Sequence, residues 1–241
     1  MATQITLTVV VPAYNEEQRL PSTLDRIGRY LGGHAELLPA EVVVVDDGSA
    51  DRTPAVVEAF VPPPGIEARL IRLARNTGKG AGVRTGLAAS RGRWVLVTDA
   101  DLSTPVEEVE ALLASGADLA VGSRGVRRDL IGRHQPWARE TLGRLFNVAL
   151  RLLGLTHLKD TQCGFKLLDG ELARRLAGAL RLDGFAFDVE LLARARRLGA
   201  TIAEVPVRWH HVDASRVHPL RHGVQMLRDA ARVRVWLWTG R

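Results

Sequence analysis

Five short apolar runs, each closed by a polar cluster and separated by segments of helical spacing, constrain this chain more than any other feature. Leu7 to Val11, Val42 to Val45, Leu70 to Leu73, Trp94 to Val97 and Leu119 to Val121 read as strands. After the first run, Leu20, Leu24, Ile27 and Leu31 recur at helical spacing, with Pro21 acceptable in the first turn. Asp51 is a plausible cap for a helix through Val56 and Val57. A glycine-rich turn leads into a helix through Val83 and Leu87, and Thr104-Pro105-Val106-Glu107 matches a capping box. Strands that are continuous apolar runs need cover on both faces, and intervening helices supply it by crossing over between parallel strands. The expectation is an α/β chain with a mostly parallel central sheet and helices on both faces. At 241 residues and 46% hydrophobic, it is large enough for one large core or two small ones.

In such sheets ligands sit beyond the carboxyl ends of the strands, which is where the polar clusters fall. Val11-Pro12-Ala13-Tyr14-Asn15-Glu16 follows the first strand, Asp46-Asp47-Gly48-Ser49 the second and Asn76-Thr77-Gly78-Lys79-Gly80 the third. Thr98-Asp99-Ala100-Asp101 follows the fourth and Gly122-Ser123-Arg124 the fifth. Each cluster alone is an ordinary turn; five in register make a site. If the segment after the fourth strand is extended, Asp99 and Asp101 share one side of it and can face one divalent cation. Oxygen ligands of this kind suit Mg²⁺ or Mn²⁺, which complete their shells with substrate phosphate oxygens. The alternative is that the two aspartates only end a strand.

Formal net charge is +6, and lysine occurs only at positions 79, 159 and 166, so the positive charge is almost all arginine. Arginine suits bidentate recognition of phosphate or carboxylate, although an arginine-biased genome gives the same composition. Nucleic acid is disfavoured, because the basic residues are not interleaved with aromatics. A single cysteine, Cys163, excludes an internal disulfide and points to a reducing compartment. The first apolar stretch lacks a basic flank and stops at Pro12, unlike a signal peptide, and no run reaches the roughly 18 apolar residues that span a bilayer. A cytoplasmic chain is expected, either free or peripheral on the inner face of the cell membrane.

Three longer strings are more specific: Asp160-Thr161-Gln162-Cys163-Gly164-Phe165-Lys166, Phe185-Ala186-Phe187-Asp188-Val189-Glu190-Leu191-Leu192, and Glu204-Val205-Pro206-Val207 followed by Ser215-Arg216. With the five clusters they resemble the inverting nucleotide-sugar glycosyltransferases of the GT-A fold, in particular the polyprenyl-phosphate branch with its dolichyl-phosphate glucosyltransferases and mannose synthases. The resemblance runs from about Ile5 to about Arg216 and favours the glucosyl subgroup, since the mannosyl one usually has Ser-Gly-Phe-Arg in the first string. It implies a catalytic domain over 1–216, followed by a basic amphipathic helix over 217–241.

The resemblance also implies roles. Pro12, Tyr14, Glu16, Val45 and Asp47 would line the nucleoside pocket, and Lys79 would approach the nucleotide. Thr98 and Ala100 frame Asp99, near ribose and metal, and Asp101, the direct metal ligand; Ser103 stands where the mannose synthases have a metal-contacting Gln. Arg124 and Arg139 match diphosphate and acceptor-phosphate contacts. Arg216, where the mannose synthases have Lys, would close on the diphosphate. Asp188 or Glu190 is the candidate base for a hydroxyl acceptor, whereas a phosphate monoester with a second pKa of about 6 needs none. Asp188 would then orient the acceptor or hold Arg139.

Other readings remain open. The run Gly78 to Gly86 follows a strand and opens a helix as a dinucleotide fingerprint does, although its spacing is Gly-x-Gly-x-x-x-Gly and it follows the third strand. Arg124, Arg127, Arg128, Arg133, Arg139 and Arg144 surround Leu130, Ile131 and Trp137, resembling a mobile basic loop over the site. At the C-terminus, Val224, Leu227, Ala231, Val235 and Trp238 share one helical face. That face suits an anionic membrane, the core or a second subunit of a homodimer. The preferred reading is glucose transfer from UDP-glucose to a polyprenyl phosphate with inversion. The alternatives are a soluble enzyme with a hydroxyl acceptor, a sugar-nucleotidyltransferase and a non-catalytic nucleotide-sugar binding protein.

Overall fold

A computed structural model describes residues 4–133, 137–210 and 219–239. Its main sheet has seven strands: β1 (Leu7–Ala13), β2 (Ala40–Asp46), β3 (Ile66–Arg72), β4 (Trp94–Val97), β5 (Leu119–Ser123), β7 (Lys166–Asp169) and β8 (Ile202–Pro206). The spatial order is β3-β2-β1-β4-β7-β5-β8. Every pairing is parallel except those of β7, which lies antiparallel between β4 and β5. A small parallel pair, β6 (Ile131–Arg133) with β9 (Trp209–His210), stands apart from it.

Period-two alternation sends successive strand side chains to opposite faces, and each face has its own core. Val10, Val95, Val97, Leu119, Val121 and Leu168 pack on one side beneath α3 (Lys79–Ala89), α5 (Trp137–Leu152), α6 (Gly170–Ala179), α7 (Phe187–Arg197) and α8 (Pro219–Thr239). Val9, Val11, Val42, Val44, Leu96 and Leu167 pack on the other beneath α1 (Leu20–Gly32), α2 (Thr53–Glu58) and α4 (Val109–Ala114). The expected periodic residues of α1, Leu20, Leu24, Ile27 and Leu31, are all buried. The glycines of α3 bring it close to β1: a Cβ at Gly86 would lie 2.2 Å from Val10 Cγ1, and one at Gly82 would lie 3.2 Å from Pro12 Cβ.

Several local expectations change. Asp51 does act at the start of α2, its Oδ1 accepting from the Thr53 N–H at 2.9 Å and the Thr53 hydroxyl at 2.5 Å. The capping box at Thr104 does not form. Thr104 is buried with its hydroxyl 3.8 Å from Cys163 Sγ, residues Val106–Glu108 make a 3₁₀ turn, and Glu107 pairs with Arg26 across the chain. The segment Arg124 to Arg144 is not a loop throughout, because β6 and the first half of α5 occupy much of it. Further along α5, Phe146 and Leu150 enter the core.

Helix α8 packs on α5 and α7 through Met226, Ala230 and Val233. Its opposite face carries Val224, Leu227, Ala231, Val235 and Trp238, all exposed, with Trp238 at 86%. On α5, Leu145, Val148 and Leu152 are exposed in the same way. Among the described residues, no helix is long and apolar enough to cross a membrane. The expected boundary at 216/217 lies outside the described residues.

Candidate active site

The loops after β1, β2, β3 and β4 meet at one end of the sheet, tied by their own polar groups. Asp47 follows β2 and accepts from the Thr77 N–H on Oδ1 and the Gly78 N–H on Oδ2, both at 2.8 Å, so the second and third clusters are joined. Burial pushes its carboxyl above the ordinary aspartate value, against the two N–H bonds. Asn15, in the left-handed region with φ 52°, accepts from the Ala50 N–H and donates its own N–H to Ser49 Oγ, joining the first and second. Glu16 holds Arg19 in a bidentate pair at 2.6 Å on both oxygens. Tyr14 is at the surface and Pro12 lies against α3. Val45 and Thr98 are 0% and 1% exposed, so their side chains are buried rather than lining the surface.

The acidic segment after β4 is a turn rather than an extended strand. The Leu102 N–H donates to the Asp99 carbonyl at 3.1 Å, with Leu102 at φ 45°. An extended segment is therefore not what presents the two carboxylates; their hydrogen-bond partners differ, while Lys79 feels the charge of both. Asp99 Oδ1 is 2.5 Å from Lys79 Nζ. Burial alone would raise the Asp99 pKa, but Lys79, then Lys166 and Arg124, outweigh it and hold the group below its ordinary value. Asp101 Oδ1 accepts the Ser103 N–H at 2.9 Å. Gly164 lies directly under Asp99: a Cβ there would fall 2.1 Å from Oδ2. The tetrapeptide and the Asp160 string thus belong to one site.

No group of three or more His, Cys, Asp or Glu that could hold a metal occurs among the described residues. The donors at the turn are the oxygens of Asp99, Asp101 and Ser103, which fit a hard divalent cation held jointly with phosphate and water rather than a closed protein cage.

A second row of charges backs the first. Lys166, on β7 and 1% exposed, donates to Asp188 Oδ1 and to the Cys163 carbonyl, both at 2.5 Å. Burial keeps the Asp188 carboxyl above its ordinary pKa despite Lys166 and Lys79 nearby. Arg124 reaches Asp160 with Nε at 2.7 Å and NH2 at 2.9 Å and lies over the Trp209 ring, 5.5 Å from its centroid. Burial opposes ionisation of Asp160, but Arg124 overcomes it and the carboxyl is held at about 2. Glu204 then braces the loop, accepting from the Asp160 N–H and the Ser123 hydroxyl.

Glu190 is removed as a base. Its Oε2 accepts the Arg181 and Leu182 N–H groups, its Oε1 takes Arg194 Nε at 2.7 Å, and its side chain is fully buried. The glycine-rich helix start is not a dinucleotide cradle either. The Gly80 and Ala81 N–H groups already donate to the Asp183 carbonyl, and a Cβ at Gly78 or Gly80 would lie 2.4 or 2.3 Å from a carbonyl oxygen of the 182–183 backbone. Arg139 lies on α5, with its side chain outside the described residues, and the described partner of Asp188 is Lys166. Arg216 also lies outside them. Lys166, Asp160 and Glu204 stand in the specific sequence strings but carry no role expected from them. A lysine among apolar strand residues was the available signal for the first; the other two have none short of the fold.

Known proteins resemble this chain over nearly its whole length. "Dolichyl-phosphate beta-glucosyltransferase" of Dictyostelium discoideum is 37% identical over 95% of this chain and 74% of its own length. The mouse protein of the same name is 39% identical over 97% of this chain and 76% of its own. Among solved structures, glucosyl-3-phosphoglycerate synthase of Mycobacterium tuberculosis with UDP superposes with a TM-score of 0.64 at 26% identity, covering 95% of this chain and 79% of that one. A complex of the same synthase with Mn²⁺, UDP and glucosyl-3-phosphoglycerate has TM-score 0.64 at 25% identity, over 95% and 78%. The model of glycosyl transferase family 2 matches residues 8–176, and the chain belongs to that family.

Proposed function

We propose that this chain moves glucose from UDP-glucose to the phosphate of a polyprenyl phosphate, with inversion and with a divalent metal, Mg²⁺ or Mn²⁺. The observation that carries the reading is identity of 37–39% with dolichyl-phosphate β-glucosyltransferases over nearly the whole chain. The site geometry supports it. An acceptor phosphate oxygen attacks the anomeric carbon from the face opposite UDP, the anomeric C–O bond breaks, and its electron pair passes to the diphosphate. A bound cation would stabilise that developing charge as a Lewis acid. Asp101 and Asp99 would hold it, with Ser103 beside them.

Lys79 and Arg124 add fixed positive charge where negative charge builds, which favours the transition state over the ground state. Asp47, Glu16, Tyr14 and Pro12 form the nucleoside end. Asp188 Oδ1 is committed to Lys166 and Glu190 is internally satisfied, so neither base candidate stands ready. A phosphate acceptor, ionised near neutral pH, needs no base. The exposed apolar faces of α5 and α8, with Arg228 and Arg232 beside them, suit peripheral attachment to an anionic bilayer that carries the acceptor.

The synthase complex that contains glucosyl-3-phosphoglycerate favours a second reading, a small hydroxyl acceptor. One assay separates the two. Protein, Mn²⁺ or Mg²⁺ and a panel of nucleotide sugars are incubated with undecaprenyl phosphate, with 3-phosphoglycerate or with neither. Release of UDP from UDP-glucose only with the lipid phosphate is expected. Release only with phosphoglycerate would replace the acceptor, and UDP binding without turnover would make the chain a binding protein.

A further inference from the structure

The acidic turn is fastened from behind by a helix that carries none of the residues assigned to the site. Thr23, in the first turn of α1 and 3% exposed, donates its hydroxyl to the Ala100 carbonyl at 2.6 Å, across 77 residues of sequence. A threonine inside a helix can satisfy its hydroxyl on the carbonyl four residues back. Here that carbonyl, of Arg19, already accepts the Ser22 hydroxyl at 2.9 Å and the Thr23 N–H at 3.2 Å, and the Thr23 hydroxyl points out of the helix instead.

Ala100 lies between the two aspartates and is 6% exposed, so its carbonyl has little access to water. The rest of the turn is held at its margins. Ser103 receives His210 N–H on its carbonyl at 2.8 Å and gives its own N–H to Asp101, and Leu102 takes the left-handed conformation that reverses the chain. Between Asp99 and Leu102, the Thr23 hydroxyl is a side-chain anchor of the backbone. Loss of that donor would leave a buried carbonyl to find another partner by rotation of the Ala100–Asp101 peptide, and that rotation swings the Asp101 side chain. Arg19, one helical turn before Thr23 on the same face, feels the charges of Asp101 and Asp99, which raise its pKa after the larger effect of Glu16.

We propose that Thr23 is a positioning residue of the metal-diphosphate site, setting through the Ala100 carbonyl the direction in which Asp101 presents its carboxylate. This rests on the reading of Asp101 as metal ligand. Outer partners that orient metal ligands typically matter by about 10- to 100-fold in affinity.

The test measures free Mn²⁺ by electron paramagnetic resonance during titration of the full chain in the presence of UDP. Thr23→Val keeps the shape and removes the donor; Thr23→Ala does so with a better helix former if the valine variant folds poorly. Either should weaken Mn²⁺ binding by about tenfold, Thr23→Ser should restore it, and metal-free UDP binding should stay as in the parent. Unchanged Mn²⁺ affinity in a folded donorless variant overturns the proposal, as does equal loss in the serine variant, which would indicate packing alone. Asp101→Asn is the control. If it binds Mn²⁺ with UDP as the parent does, the metal assignment itself fails; if it loses the ion while Thr23→Val keeps it, only the role of Thr23 fails.

Discussion

Asp99 and Asp101 are two positions apart and chemically unlike. Asp99 is neutralised by Lys79 and seated on Gly164, whereas Asp101 spends one oxygen on the Ser103 N–H. In the proposed reaction Asp101 therefore takes the direct hold on the cation. Asp101→Ala should abolish metal-dependent UDP release while leaving the circular dichroism spectrum unchanged; full turnover in that variant contradicts the role. Gly164→Ala should displace the Asp99 carboxylate and raise KM for the donor at least several-fold, readable in steady-state kinetics with UDP-glucose varied. The pair Lys166–Asp188 is almost wholly buried, and removal of one partner from such a pair costs about 3–5 kcal/mol because a bare charge remains. Lys166→Met should lose stability on that order in chemical denaturation, and adding Asp188→Leu should recover part of it. These acidic and lysine positions were legible as types beside a strand, but their division of labour was not. It depends on Gly164 and Lys166, more than 60 residues downstream of Asp99.

At the scale of elements, the strands with branched apolar runs and the periodic helix α1 declare themselves in sequence, because each buries a face that its own spacing defines. Strand β7 does not. It has four residues, begins with a charged one and pairs antiparallel in a sheet otherwise parallel, so neither length nor pattern marks it. The brace that sets Arg124 is equally silent, since Glu204, Asp160 and Arg124 meet from three separate segments. That brace has a pH signature. Asp160 has a folded pKa of about 2 against an ordinary 3.8, so its contribution is fully present above pH 4 and fades as pH falls toward 2. The shift corresponds to roughly 2 kcal/mol. Asp160→Asn should flatten the stability profile measured by denaturant unfolding between pH 4 and pH 2; an unchanged slope would show that the pair does not titrate with folding.

On the scale of the whole molecule, the catalytic end of the sheet and the apolar faces of α5 and α8 serve one reaction only if the acceptor arrives with a bilayer. The stripe on α8 was visible as spacing, while its choice between core and solvent was not. The helix is apolar on two sides, and Met226, Ala230 and Val233 take the inward one. With Val224, Leu227 and Trp238 replaced by serine, binding to phosphatidylglycerol vesicles in sedimentation should fall severalfold, while UDP release with a short, water-soluble prenyl phosphate stays unchanged. Sedimentation of the parent chain as a dimer, with no vesicle binding, would assign that face to a second copy instead.

The most direct measurement is a crystal structure of the chain grown with UDP and Mn²⁺. The proposed function predicts one ion touching Asp101 and the UDP phosphates, with the uridine among Pro12, Tyr14 and Asp47. Nucleotide bound elsewhere, or an ion with no contact to Asp101, would contradict it.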